Sequence, residues 1–164
     1  MLFRSTLAGI NLLTAIVAML IVAIALVTLV NMGIGHLPLG DGEAMSLQRL
    51  FAYAFRPIVW AMGIPWPETG VAASLMATKT VLNEFVAFLD LGRLDPGALA
   101  PKSRLIMTYA LCGFANFGSV GILVGGLGAM VPADRRHEVV ALGMRSLVSG
   151  TLATCMSGAV IGML

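Results

Sequence analysis

The chain has 164 residues, of which 59% are hydrophobic and only 11% are charged, and its mean hydropathy is +0.95. Because soluble domains usually carry about 25% charged residues, this composition excludes an ordinary soluble domain. It predicts an all-α integral membrane protein that crosses the cell (inner) membrane several times, with the lipid bilayer as its first partner. The net charge of +2 is dispersed without a basic run, which argues against nucleic acid as a partner.

The N-terminal segment, residues 1–33, contains an uncharged stretch from residue 7 to residue 30. At ~1.5 Å per residue this stretch spans ~36 Å as a helix, enough for a tilted crossing. It predicts a transmembrane helix. A secretory signal is the alternative, since Arg4 precedes the stretch, but the stretch exceeds the ~7–15 residues of a signal's apolar region and no small-residue cleavage site follows.

A loop and an amphipathic helix are predicted next. Residues 34–45 are dense in glycine, proline and acidic residues, which is typical of a loop. Residues 46–63 follow, with Ser46 as a plausible N-cap and with apolar residues at helical spacing. Trp60 and Trp66 belong to the residue type that favours the headgroup level of a bilayer, so we expect this helix to lie along the membrane surface.

The segment 68–91 has the length of a crossing but carries Lys79, Asn83 and Glu84 near its centre. An ionisable residue at that depth costs at least ~2.5 kcal/mol, so such residues usually face a cavity and mark function. The segment is either a crossing or a re-entrant hairpin whose tip lies near Leu82 and Asn83. In the hairpin, Asn83 caps the second helix and the carboxylate of Glu84 lies at its N-terminus.

Glu84 has two interpretations at this point. It is either part of a binding site inside the membrane or a capping charge at an interface with Lys79 as its ion partner. The sequence alone leaves both open.

The segment 104–130 contains a long uncharged stretch that Asn116, Gly118 and Ser119 interrupt. Backbone at membrane depth departs from a helix only where protein or a wet cavity surrounds it. We therefore predict a discontinuous transmembrane helix, with its first half ending near Phe114 and its second beginning near Ser119. The facing ends of such half-helices form substrate sites in transporters.

The last segment, 134–164, predicts a transmembrane helix with Asp134 as its N-cap. Small residues along it permit close helix packing; they are Gly150, Ser157, Gly158 and Gly162.

An enzyme is disfavoured, because both histidines lie in a loop or at a helix start, away from any nucleophile. The two cysteines, Cys112 and Cys155, lack the spacing of metal ligands, and we expect neither a metal site in this chain nor a covalently bound cofactor.

Two motifs resemble the concentrative nucleoside transporter family. Residues 77–88, ATKTVLNEFVAF, are similar to the family's signature around an Asn-Glu-Phe tripeptide. Residues 109–119, YALCGFANFGS, are similar to its broken helix, and residues 125–136, GGLGAMVPADRR, to the family's segment after that helix. The order and spacing of these motifs correspond to the C-terminal half of the family: the second hairpin, the broken helix and the last helix.

The resemblance implies a fold and partners. It implies one half of an inverted-repeat transporter that assembles as a homotrimer, with residues 1–33 as part of the scaffold. The other half, which reads the base and helps to hold the coupling ion, has no counterpart in these residues. We therefore expect a missing N-terminal half or a second subunit.

The resemblance also implies a site. Glu84 accepts hydrogen bonds from the ribose hydroxyls, Asn116 and Ser119 bind the ribose beside it, Phe114 packs against the substrate, and Asn83 lies next to them. Carboxylates and amides suit hydroxyl groups, because the first accept and the second both donate and accept.

The function implied is nucleoside uptake across the cell membrane coupled to an ion, Na+ or H+, with this chain supplying the ribose-binding half. The alternative is a structural or channel-forming membrane subunit without coupled transport.

Overall fold

The computed structural model describes residues 2–36 and 44–164, and these residues form α-helices joined by short turns. Residues 37–43, which belong to the predicted loop 34–45, lie outside the described residues. The helices, in chain order, are α1 (Leu2–Ile34), α2 (Leu47–Ala61), α3 (Thr69–Val81), α4 (Glu84–Arg93), α5 (Pro101–Leu111), α6 (Phe117–Met130) and α7 (Arg136–Met163).

Helices α3 and α4 form a hairpin, because the chain leaves its helix at Leu82 and Asn83 and α4 packs back against α3. The segment is therefore not a single continuous crossing. Helix α2 lies along α3, and Ser46 caps it by accepting a hydrogen bond from the backbone of Arg49 at 3.2 Å. This cap confirms the sequence prediction for Ser46.

The break between α5 and α6 covers residues 112–116. It lies earlier than predicted, because Gly118 and Ser119 already belong to the first turn of α6. The physical reason is a cap: the side chain of Asn116 accepts from the free N–H of Ser119 in the first turn of the new helix, so the helix resumes at Phe117.

The core lies among α2, α3, α4, α5 and α7. Glycines bring α7 close to α5, as the sequence predicted: a Cβ added at Gly158 would lie 3.1 Å from the Cβ of Ala110. A Cβ added at Gly162 would lie 2.9 Å from the carbonyl oxygen of Met62. These contacts leave no room for a side chain and fix the last helix against α5 and against Met62 at the end of α2.

Helix α7, with the turn before it, is long and apolar enough to cross a membrane: residues 133–163 contain an 18-residue stretch whose mean hydropathy is 1.4. Many apolar side chains of α7 and α1 face outward, among them Val140, Val148, Ile21 and Leu29. Asp134 is not the N-cap of α7. It lies inside a 3-10 turn, Ala133–Arg135, which delays the helix until Arg136.

Candidate substrate-binding site

The hairpin tip places Glu84 at the start of a helix. The side-chain oxygen of Asn83 accepts a hydrogen bond from the backbone N–H of Val86 at 2.9 Å, which confirms Asn83 as the N-cap of α4. Glu84 is then the first residue of α4, where the positive end of the helix dipole lies next to its carboxylate.

The break is closed by a reciprocal cap between Asn116 and Ser119. The side-chain oxygen of Asn116 accepts from the backbone N–H of Ser119 at 2.7 Å, while the hydroxyl of Ser119 accepts from the N–H of Asn116 at 3.1 Å. The same hydroxyl donates to the carbonyl of Asn116 at 2.7 Å. This is the pairing of a capping box, with serine in the third helical position. Ser119 is consequently only 2% exposed.

The two caps converge on one carboxylate. The amide nitrogen of Asn116 donates a hydrogen bond to Oε2 of Glu84 at 2.9 Å. The N-termini of α4 and α6 therefore meet at Glu84, and both helix dipoles direct positive potential towards it. Among the described residues, Oε1 of Glu84 accepts no hydrogen bond and is available to a ligand.

A small cavity of about 150 Å³ lies beside this carboxylate. It is lined by Leu20, Ala23, Leu82, Asn83, Glu84, Phe85, Phe114, Asn116 and Gly118. Four of the five residues predicted for the site therefore line one cavity, including Phe114, which is 54% exposed. Ser119 does not line this cavity; with Phe114 it lines a neighbouring one of about 340 Å³.

One polar atom at the tip has no partner. The side-chain nitrogen of Asn83 is buried and donates no hydrogen bond within the described part of the chain, although the oxygen of the same amide is used in the cap. A buried donor without an acceptor costs ~1–3 kcal/mol. Within the described residues, the tip therefore holds a donor on Asn83 and an acceptor on Glu84 that make no hydrogen bond.

The interpretation in which Lys79 is the ion partner of Glu84 is wrong. The ammonium of Lys79 donates to the carbonyl oxygen of Ala110 at 2.9 Å and to the hydroxyl of Thr154 at 2.8 Å. Sequence reasoning missed Thr154, and no local signal could have found it, because Thr154 lies 75 residues from Lys79. The capping box at Asn116 was also missed, although the spacing N-x-x-S indicates it.

Comparisons with known proteins identify the family of the chain. The family described as "Na+ dependent nucleoside transporter C-terminus" matches residues 1–162. Similar relatives include the "Uncharacterized transporter YutK" of Bacillus subtilis, 39% identical over 157 residues, and the "Nucleoside permease NupC" of Helicobacter pylori, 36% identical over 160 residues. Each alignment covers 94% of this chain and 38% of the relative.

Solved structures give the same result. The structure of CNTnw in an inward-facing substrate-bound state has a TM-score of 0.81 at 38% identity, covering 96% of this chain and 39% of that one. A variant of CNTnw in an intermediate state has a TM-score of 0.86 at 37% identity, with the same coverage of both chains.

The chain thus spans about two fifths of the length of the relatives named above, 38% of YutK and 39% of CNTnw. The match extends from the first helix through the hairpin and the broken helix to the last helix. The chain is an integral membrane protein, and it belongs to the family of Na+-dependent nucleoside transporters, whose C-terminal part it matches.

Proposed function

We propose that this chain forms the ribose-binding half of a transporter that takes up nucleosides together with Na+. The observation that carries the proposal is the hydrogen bond of 2.9 Å between the amide of Asn116 and the carboxylate of Glu84, which unites two helix N-termini at the edge of a cavity. Family membership and the names of the relatives support the substrate and the ion.

The chemistry of these groups suits a sugar with neighbouring hydroxyls. Glu84 has one carboxylate oxygen bonded to Asn116 and one without a partner in the described residues, so it accepts from two hydroxyls on one edge of a ribose. A hydrogen bond to a charged acceptor is roughly twice as strong as one between neutral groups. The second N–H of the Asn116 amide donates to a sugar oxygen in the same plane.

The remaining site residues have supporting roles in this proposal. The unpaired amide nitrogen of Asn83 gains an acceptor when a sugar oxygen or an ordered water enters the cavity. Phe114 lies between the two cavities and presents an apolar face to the substrate. The backbone N–H of Ser119 holds the side-chain amide of Asn116, and the Ser119 hydroxyl, which bonds to the backbone of Asn116, touches the sugar only if it turns outward.

The cavity is too small for a whole nucleoside. Its volume of about 150 Å³ is half of the ~300 Å³ at the lower end of ligand pockets, so it accommodates the sugar and leaves the base outside. We propose that residues beyond this chain bind the base and the coupling ion, from a longer polypeptide or from a second subunit. We also propose a homotrimer whose contacts and lipid surface use the exposed apolar faces of α1.

The test is nucleoside uptake into proteoliposomes by the protein expressed from its intact gene. We expect saturable uptake of labelled uridine that unlabelled adenosine or uridine inhibits, and that stops when choline replaces Na+ at constant pH. Uptake driven by a pH gradient without Na+ would make H+ the coupled ion. Flux that rises linearly with concentration and ignores competitors would contradict a carrier and indicate the channel-forming alternative.

A further inference from the structure

Lys79 is a fully buried cation that the proposed substrate contacts do not use. It is 0% exposed and lies in the last turn of α3, five residues before Glu84. Its ammonium is bound by two other helices: the carbonyl of Ala110 belongs to the last turn of α5, and Thr154 belongs to α7. One side chain therefore joins the hairpin, the broken helix and the last helix.

The carbonyl of Ala110 is a natural acceptor for this cation. The last four carbonyl groups of a helix have no N–H partner within the helix, and the negative end of the helix dipole lies there. The break after Leu111 leaves Ala110 in this position, six residues before Asn116. Lys79 thus caps the C-terminus of α5 from another helix, close to the residue that holds Glu84.

Thr154 is held in place to receive the ammonium. Its hydroxyl donates to the carbonyl of Thr151 at 2.9 Å, which leaves its oxygen free to accept from Lys79. The break packs closely against it, since a Cβ added at Gly113 would collide with the methyl carbon of Thr154 and would lie 3.7 Å from the Lys79 nitrogen. Gly113 therefore permits the close approach on which this three-helix contact depends.

We propose that Lys79 is a positioning residue for the sugar site: its ammonium locks α3, α5 and α7 together and so holds Glu84 within hydrogen-bonding distance of Asn116. This inference rests on the proposed function where it is tested by nucleoside binding or uptake. A buried cation is a weak source of stability, because its desolvation cost offsets its hydrogen bonds, and well-packed apolar replacements are often neutral. Such a cation instead fixes the relative positions of the helices whose groups bind it.

The test separates positioning from stability with Lys79→Met, which fills a similar space without donors or charge. We expect the uridine dissociation constant and KM to rise about tenfold or more, the effect of losing one or two hydrogen bonds to a charged group. The midpoint of thermal unfolding and the maximal uptake rate change much less. Lys102→Met, which alters an exposed lysine at the start of α5, is the matched control and leaves binding unchanged.

A second pair of variants applies if Lys79→Met does not fold. Thr154→Val keeps the shape but removes the acceptor, and we expect a rise in the dissociation constant of about two- to fivefold, since Ala110 still binds the ammonium. Gly113→Ala collides with the methyl group of Thr154, and adding Thr154→Ser removes that methyl group while keeping the hydroxyl. We expect the double variant to regain the affinity that Gly113→Ala loses.

A readout without nucleoside keeps this inference apart from the proposed function. Cys155 follows Thr154 and is buried, so its alkylation by N-ethylmaleimide, in a Cys112→Ser background, reports whether α7 stays packed around the contact between Lys79 and Thr154. We expect slow labelling, and labelling about tenfold faster with Lys79→Met. Failure of the unaltered protein to bind uridine overturns the proposed function alone. The alkylation rates then test whether Lys79 holds the three helices together. If Lys79→Met leaves the alkylation rate unchanged, or leaves the dissociation constant unchanged in a protein that binds uridine, Lys79 is not a positioning residue.

Discussion

Two of the interruptions between helices, the hairpin tip (residues 82–83) and the break (residues 112–116), share one feature: at both, an asparagine caps the next helix. The break is chemically complete: its cap is reciprocal between Asn116 and Ser119, and Lys79 binds the carbonyl at its upstream end. The tip is incomplete, because the side-chain nitrogen of Asn83 donates no hydrogen bond to any residue that the structure describes.

The break is therefore preorganised, whereas the tip has polar groups that a ligand can bind. At the break, three hydrogen bonds within residues 116–119 hold the backbone and the side-chain oxygen of Asn116, so its amide nitrogen points at Glu84 before any ligand arrives. The tip carries the charge and the unsatisfied donor, and a ligand completes it. Substitutions at the tip should therefore change affinity more than stability, and substitutions at the break should change both.

The largest effect is expected from Glu84→Gln at the tip. The amide keeps the shape but removes the charge on which two sugar hydrogen bonds depend, each worth ~1.5–3 kcal/mol, so uridine uptake should fall about 100-fold or more. Uptake is measured at equal amounts of protein in the membrane. Glu138→Gln, at the exposed partner of Arg135, is the matched control. Uptake that matches the unaltered protein would remove Glu84 from the site.

Asn116→Asp tests the break. The aspartate still caps α6, but it faces Glu84 with a second carboxylate where the amide donated at 2.9 Å. We expect the affinity for uridine to fall about 30-fold and the free energy of unfolding to fall by ~1–2 kcal/mol. Asn116→Ser, which caps without repulsion, should lose less of both. Equal behaviour of the two variants would mean that Asn116 serves only as a cap.

Asn83→Ser separates the two functions of the tip asparagine. Serine keeps an oxygen that caps α4 and removes the buried nitrogen that has no partner. The free energy of unfolding should stay level or rise by ~1 kcal/mol, while the affinity for uridine falls about three- to tenfold. Calorimetry measures the first and equilibrium binding the second. A gain in affinity would show that the ligand does not use this donor.

The smallest effect is expected from Ser119→Ala. It removes two hydrogen bonds from the cap at the break and should lower the free energy of unfolding by ~1 kcal/mol, with only a two- to threefold loss of affinity. Ser149→Ala, whose hydroxyl bonds only to its own helix, is the control. A loss of affinity above tenfold without a change in stability would instead indicate direct contact of Ser119 with the sugar.

Local rules in the sequence accounted for much of the fold. The caps at Ser46 and Asn83 and the close packing of Gly158 followed from residue type and spacing alone. The break was placed too late because Gly118, which disfavours a helix in isolation, lies within one once Asn116 caps it.

The contacts between distant segments could not be predicted in this way. Glu84 and Asn116 are 32 residues apart, and only the resemblance placed them together. The acceptors of Lys79 lie 31 and 75 residues away, and the sequence offered Glu84 as the nearer partner. The contacts of Lys79 form because α3, α5 and α7 pack together, and no local sequence pattern encodes that packing.

The most direct measurement compares the affinities for uridine and 3′-deoxyuridine in the unaltered protein and in Glu84→Gln. If Glu84 binds the sugar hydroxyls, the unaltered protein prefers uridine by about tenfold or more, and the variant binds both equally to within about twofold. A preference of the same size in both proteins would contradict sugar recognition by Glu84.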